Sequence, residues 1–147
     1  MPKFQISANI PSPPEKLIEI ATDYENFGRF FKYIDSIKIL EDNADSTITE
    51  EKISFTLHKL SHTIVQKTKT KKYNSKIEAE VIEGPLKGSV IKTNYEKISS
   101  GSKVSIDADL KISLKYKFLG PIISKRIKMA SIAVLYKMHT LISESDQ

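Results

Sequence analysis

The chain has no cysteine and no tryptophan among its 147 residues. Without cysteine it can form no disulfide, no thiolate metal site and no Cys-based nucleophile. A chain of this length, 39% hydrophobic, can bury a core as one domain without such staples, so a single domain over residues 1–147 is expected. Arginine is almost absent: of 23 basic residues only Arg29 and Arg126 carry a guanidinium. No apolar run approaches the roughly 18 residues of a membrane span. The start, Met1-Pro2-Lys3-Phe4, has no apolar h-region of a signal peptide. A soluble protein of a reducing cytoplasm is the expectation.

The motifs of several chemistries are missing as well. Three histidines and no cysteine leave too few ligands at useful spacing for a metal. Gly88 and Gly101 read as turn residues, and no Gly-rich loop precedes a helix, so neither a P-loop nor a Rossmann unit is supported. No Gly-x-Ser-x-Gly elbow occurs. No cofactor and no metal are expected, and no nucleophile is assembled.

What is present is alternation. Phe4, Ile6, Ala8 and Ile10 predict a first strand over residues 3 to 10 with one buried face. In Ser12-Pro13-Pro14-Glu15 the expectation is a capping box, with Ser12 as cap, Pro13 at the first helical position and a short helix to about Ala21. Asp23 is expected to cap a second short helix through Tyr24, Phe27, Phe30 and Phe31, loosened by Gly28. From Ile34 to Leu114 the chain reads as successive strands. Ile53, Phe55 and Leu57 share a face, as do Ile77, Ala79 and Val81. Lys67 and Lys69 mark an outer face, which sends Leu60, His62, Ile64, Gln66 and Thr68 inward. Gly84-Pro85-Leu86-Lys87-Gly88 and Ser99-Ser100-Gly101-Ser102 are turns. Ser89, Ile91, Thr93 and Tyr95 point in after the first, and Val104, Ile106, Ala108, Leu110 and Ile112 after the second. Gly120-Pro121 opens a long helix to about Ser143, and residues 144 to 147 read as frayed. His58 falls in or beside a turn, and His139 is read as a surface or packing residue of the last helix.

The net charge of +5 is unevenly spread. Lys67, Lys69 and Lys71 alternate with smaller residues, as on a solvated strand face. Between Leu110 and Ser143, by contrast, stand Lys111, Lys115, Lys117, Lys125, Arg126, Lys128 and Lys137 with no acid among them. Such a stretch could attract an anionic ligand, an anionic membrane surface or RNA. Lysine supplies less directional charge than arginine, which weakens the nucleic-acid reading.

Two segments carry a family resemblance. Asp23-Tyr24-Glu25-Asn26-Phe27-Gly28-Arg29-Phe30 resembles the D-x-E-x-(W/F)-x-x-F segment of the START/Bet v 1-like superfamily, also called SRPBCC. Glu83-Gly84-Pro85-Leu86-Lys87-Gly88 resembles the Gly-Pro-Leu hairpin of its polyketide cyclase and coenzyme Q-binding branches. Phe27 stands where that superfamily usually has Trp. The resemblance implies an α+β helix-grip fold: a curved antiparallel sheet of about seven strands around a long C-terminal helix, with two short helices between strands 1 and 2. It also implies a hydrophobic cavity between sheet and helix, used mostly for lipids, sterols, quinones or polyketides.

Inward positions give that cavity a candidate lining. Phe55, Ile64, Ile91, Ile106 and Leu110 are its apolar wall on the sheet, and His62, Gln66, Thr93 and Tyr95 its polar exceptions. The resemblance further implies that Phe27 and Phe30, the aromatics of its first motif, plug the gap under the short helices and border the cavity. The last helix presents two stripes at 100° per residue: Ile123, Ile127, Ala130, Val134, Met138 and Leu141 toward the sheet, and Met129, Ile132 and Tyr136 on nearly the opposite side. Three functions follow. The favoured one is a binding module for a hydrophobic small molecule (a lipid, quinone or polyketide). The second is a cyclase- or dehydratase-type enzyme moving a proton with His62 or Tyr95. The third, implied by relatives in the coenzyme Q-binding branch, is a ribosome- or RNA-associated protein. The second helix stripe is either covered in part by the two short helices or a loop, or it marks a partner surface, for a second copy in a homodimer or an anionic membrane.

Overall fold

The structure of the protein, a computed structural model, describes residues 3–57 and 59–145. The expected turn position of His58 lies outside them. Strand β1 (Lys3–Ile10) leads into helices α1 (Pro14–Ala21) and α2 (Tyr24–Phe27), and a 3-10 turn over Gly28–Phe30 follows. Six strands then run in succession: β2 (Ile34–Asp42), β3 (Thr47–Leu57), β4 (Leu60–Lys72), β5 (Lys76–Glu83), β6 (Val90–Ile98) and β7 (Gly101–Asp109). A 3-10 segment, Leu114–Leu119, runs directly into α3 (Gly120–Ser145). All seven strands form one antiparallel sheet in the order β1-β7-β6-β5-β4-β3-β2. This is the helix-grip architecture: α1 and α2 bridge the two edge strands, and α3 packs on β1.

The ladder carries the alternation across the sheet. Ile6 lies opposite Ile106, Ile106 opposite Thr93, and Thr93 opposite Ile77. Directly paired residues share a face, so one row, apolar except for Thr93, crosses four strands. The same face holds Phe4, Ile10, Tyr95, Val104, Ala108 and Leu110, which pack in one cluster with Leu17 and Ile18 of α1 and with Val134, Leu135, Met138 and Ile142 of α3. In the place of the usual Trp, Phe27 meets Phe30 and Phe31 edge-on, at ring-centroid distances of 5.7 and 5.2 Å. The Lys137 ammonium donates to the Phe30 carbonyl at 3.2 Å and ties this aromatic trio to α3.

Several local expectations are corrected. Ser12 does not cap α1: the helix starts one residue later, with Pro13 at the N-cap and Pro14 in its first turn. Ser12 is buried instead; its hydroxyl shares a 2.7 Å hydrogen bond with His139 Nδ1, and its carbonyl accepts from the Ser102 hydroxyl at 2.6 Å. His139 is therefore a packing partner of the first crossover. Asp23 occupies the N-cap of α2 but its carboxylate accepts from the Asn26 side chain rather than from the backbone. The last strand ends at Asp109, short of Ile112, because the Ser89 hydroxyl takes over the pairing. It accepts from the Lys111 N–H at 2.8 Å and donates to the Lys111 carbonyl at 3.1 Å. Leu114 accordingly opens a 3-10 helix. Leu60 has inward parity but is exposed, since β4 gains its β5 neighbour only from Lys67 onward and the hairpin tip projects past the sheet. Residues 144 and 145 remain helical.

Candidate ligand cavity

The inner face of the sheet is divided. Strands β1, β7, β6 and β5 present the apolar wall, whereas β3 and β4 present hydroxyls and one carboxyl. Register makes the polar strip: Thr47 lies opposite Thr70, Thr49 opposite Thr68, and Glu51 opposite Gln66. Ile53 opposite Ile64 and Phe55 opposite His62 extend the same inner face, with more apolar side chains, toward the hairpin tip. Thr47, Thr49, Thr68 and Thr70 are buried, and Glu51 is only 7% exposed.

Glu51 is the focus of the strip. Its Oε1 accepts from the Thr68 hydroxyl and, at 3.3 Å, from the Gln66 amide. Its Oε2 and the Gln66 Oε1 are buried with no partner. Burial pushes the Glu51 carboxyl above the usual carboxylate range, and the hydrogen bonds from Thr68 and Gln66 pull it partly back. An unpaired polar atom of this kind costs about 1–3 kcal/mol, so the strip is suited to a group that completes it. A folded-state pKa above the unfolded one means the folded chain holds a proton that the unfolded chain has released. Stability from this group is present below the ordinary glutamate range and is lost as pH rises through the raised value. Glu51→Gln should therefore melt higher than the parent at pH 8 and lose that margin by pH 4. Calorimetry at the two pH values checks this, and a margin equal at both would contradict it.

The residues expected to line the cavity fall into two groups. Phe30, Tyr95, Ile106, Leu110, Val134 and Met138 are members of the buried cluster, with Phe27, Ile91 and Ile127 packed half-buried against it. Phe55, His62, Ile64, Gln66 and Thr93 are half-buried outside it. His62 does not meet Tyr95 in any contact of the sheet: it stacks on Phe55, with ring centroids 5.3 Å apart. Burial raises the Tyr95 hydroxyl well above its ordinary range, so it stays protonated at physiological pH. Glu51 escaped the sequence reading. The signal was present, since carrying the parity of Ile53 and Phe55 back two residues places Glu51 on the inner face.

A cavity of about 700 Å³ opens between the start of α3 and the β1 edge. Phe4, Ile112, Gly120 and Pro121 border it, together with Ser124 and four lysines, Lys3, Lys117, Lys125 and Lys128. None of the residues expected from the sequence to line a cavity is among them. The reason lies in α3. Its C-terminal half buries Val134, Leu135, Met138 and Ile142, while from Pro121 to Ala133 no residue is buried. The helix thus buries Gly120 and side chains along its C-terminal half, and between them it leaves its residues half-buried or exposed beside the cavity. Among the described residues no group of His, Asp and Glu could hold a metal, and no helix is long and apolar enough to cross a membrane.

The geometry has counterparts among solved structures. The Thermus thermophilus protein TTHA0849 superposes with a TM-score of 0.82 at 13% identity, over 99% of this chain and 100% of that one. The Zhui aromatase/cyclase of Streptomyces sp. R1128 gives 0.78 at 10% identity, over 96% and 95% of the two chains. A START superfamily protein of Mycobacterium smegmatis gives 0.71 at 11% identity, over 95% and 98%. At such identities the likeness is one of fold. No curated protein matches the chain in sequence. Residues 10–137 match the family model described as polyketide cyclase / dehydrase and lipid transport, which spans most of the chain. With the seven-stranded sheet, the two bridging helices and the long closing helix all in place, the chain belongs to that family, within the START/Bet v 1-like superfamily.

Proposed function

We propose that the protein binds a hydrophobic small molecule that carries a polar group, in the space between α3 and the sheet. The carrying observation is the cavity of about 700 Å³ beneath the unburied half of α3. Ligand sites for small molecules run roughly 300–1,000 Å³, so the volume suits a lipid, quinone or polyketide. The family's description, which joins cyclases with lipid transport, supports the same reading. Phe4, Ile112 and Pro121 offer apolar contact there, and the lysines at the mouth would favour an anionic end.

Two measurements test it. Organic extraction of the purified protein followed by mass spectrometry should recover an apolar compound in stoichiometric amount. A fluorescent fatty-acid probe should bind saturably, and Ser124→Trp, which fills the cavity, should weaken it on the order of tenfold, about 1.4 kcal/mol. Absence of both a recovered compound and saturable uptake would remove the reading.

A second reading, proton transfer on a carbonyl substrate, draws on Glu51. A buried carboxyl whose pKa is raised and whose Oε2 is unpartnered has the protonation behaviour a general acid needs. His62, stacked on Phe55, and Tyr95, held protonated, fit that role less well. Turnover of a polyketide-like ketone that disappears in Glu51→Gln, with the fold intact, is the expected signature.

A further inference from the structure

The 3-10 segment and the first turns of α3 leave large apolar side chains in water. Leu114 is 86% exposed and Phe118 74%, and further along α3 Met129 is 60% exposed and Ile122 43%. Around them stand Lys111, Lys115, Lys117, Lys125, Arg126 and Lys128, all exposed. No acidic residue lies between Leu110 and Ser143. Asp109, just before this stretch, is near the Lys3 ammonium at 4.0 Å. Of the second apolar stripe expected on the helix, Met129 and Tyr136 are exposed and Ile132 is half-buried, so the strongest exposure lies upstream of that stripe, at Leu114 and Phe118.

We infer that this segment is a docking surface for an anionic lipid bilayer, lying in its interface with Leu114 and Phe118 inserted among the headgroups. Exposed apolar side chains interleaved with lysine, and no acid, are what an interfacial segment requires: apolar area for the acyl boundary and cations for the headgroups. Charge complementarity selects an anionic surface over a neutral one. The composition selects it over RNA, because arginine forks are the preferred groups for phosphate and base recognition and this stretch has one arginine. Placement adds a functional argument, which rests on the ligand-binding reading of the cavity. Lys117, Lys125 and Lys128 border both the proposed docking surface and the mouth of the cavity. A docked protein would therefore hold that mouth against the membrane.

Flotation with phosphatidylcholine vesicles, with and without phosphatidylglycerol, tests the inference directly. The full chain should float only with the anionic vesicles, and raised salt should weaken the association. Lys117→Glu/Lys125→Glu/Lys128→Glu and, separately, Leu114→Ser/Phe118→Ser should each reduce bound protein on the order of tenfold. Circular dichroism confirms that the exposed substitutions leave the fold unchanged. Failure of the parent to float with anionic vesicles at low salt overturns the inference, as does flotation that survives both variants. If the parent instead binds an RNA homopolymer, ignores vesicles and is unaffected by Leu114→Ser/Phe118→Ser, the surface is a polyanion site and the bilayer is excluded. Loss of saturable fatty-acid binding in Ser124→Trp with flotation retained would separate the docking surface from the cavity.

Discussion

Alanine in place of Gly101 should lower stability by roughly 3–5 kcal/mol, enough to leave a domain of this size barely folded. Gly101 opens β7 at φ 141°, a conformation that L side chains rarely adopt. An added Cβ would stand 2.3 Å from the Ile10 carbonyl oxygen, 2.7 Å from the Ser12 nitrogen and 2.8 Å from the Pro11 Cα. All three are main-chain atoms, so no rotamer change relieves the contact. They also belong to the crossover that the Ser102 hydroxyl holds through the Ser12 carbonyl. The strand end, the chain leaving β1 and the start of α1 would move together. Urea denaturation gives the measurement, with Gly28→Ala as the control. At Gly28 the nearest contact is a side-chain carbon of Ile34 at 3.3 Å, and no positive φ is involved. That control should stay within about 1 kcal/mol of the parent. An unchanged midpoint for Gly101→Ala would mean that the crossover does not press on the β6–β7 turn.

Local pattern made much of this fold legible. A strand writes its register in period-2 alternation, and Phe4, Ile6, Ala8 and Ile10 or Val104, Ile106 and Ala108 needed nothing more than that. Turns were equally plain, because Gly84, Gly88 and Gly101 adopt positive φ where the chain must reverse. What local pattern could not supply was anything settled by distant partners. Ser12 has the local form of a helix cap, yet His139 and Ser102 recruit it from 127 and 90 residues away. Ser89 likewise ends β7, from the residue just before β6. Glu51 sits in the run Thr47-Ile48-Thr49-Glu50-Glu51-Lys52, whose polar composition reads as a solvated strand; parity with Ile53 and Phe55 already puts its alternate members inside, and the contacts with Thr68 and Gln66 show what they meet there. The cavity at the start of α3 was hidden for a related reason. Helical periodicity says which side of α3 is apolar, not which half of it reaches the sheet.

That division of α3 has its own measurable consequence. Met138 is 1% exposed within the cluster formed with the sheet and α1, so truncating it removes nearly all the contacts of a long apolar side chain. Met138→Ala should cost about 2–5 kcal/mol. Ile127 belongs to the same apolar stripe but is only half-buried against the cluster, in the part of the helix where no residue is buried. Ile127→Ala removes a comparable amount of side chain and should cost about 1 kcal/mol or less, since its surroundings are already partly open. Native-state hydrogen exchange extends the comparison: amides from Val134 to Ile142 should exchange only with global unfolding, and those from Ile122 to Met129 through smaller local openings. Equal costs at the two positions would show the helix gripping along its whole length and would leave the cavity no movable wall. A large difference would make the first half of α3 the element that opens to admit a ligand, hinged on a second half that the core does not release.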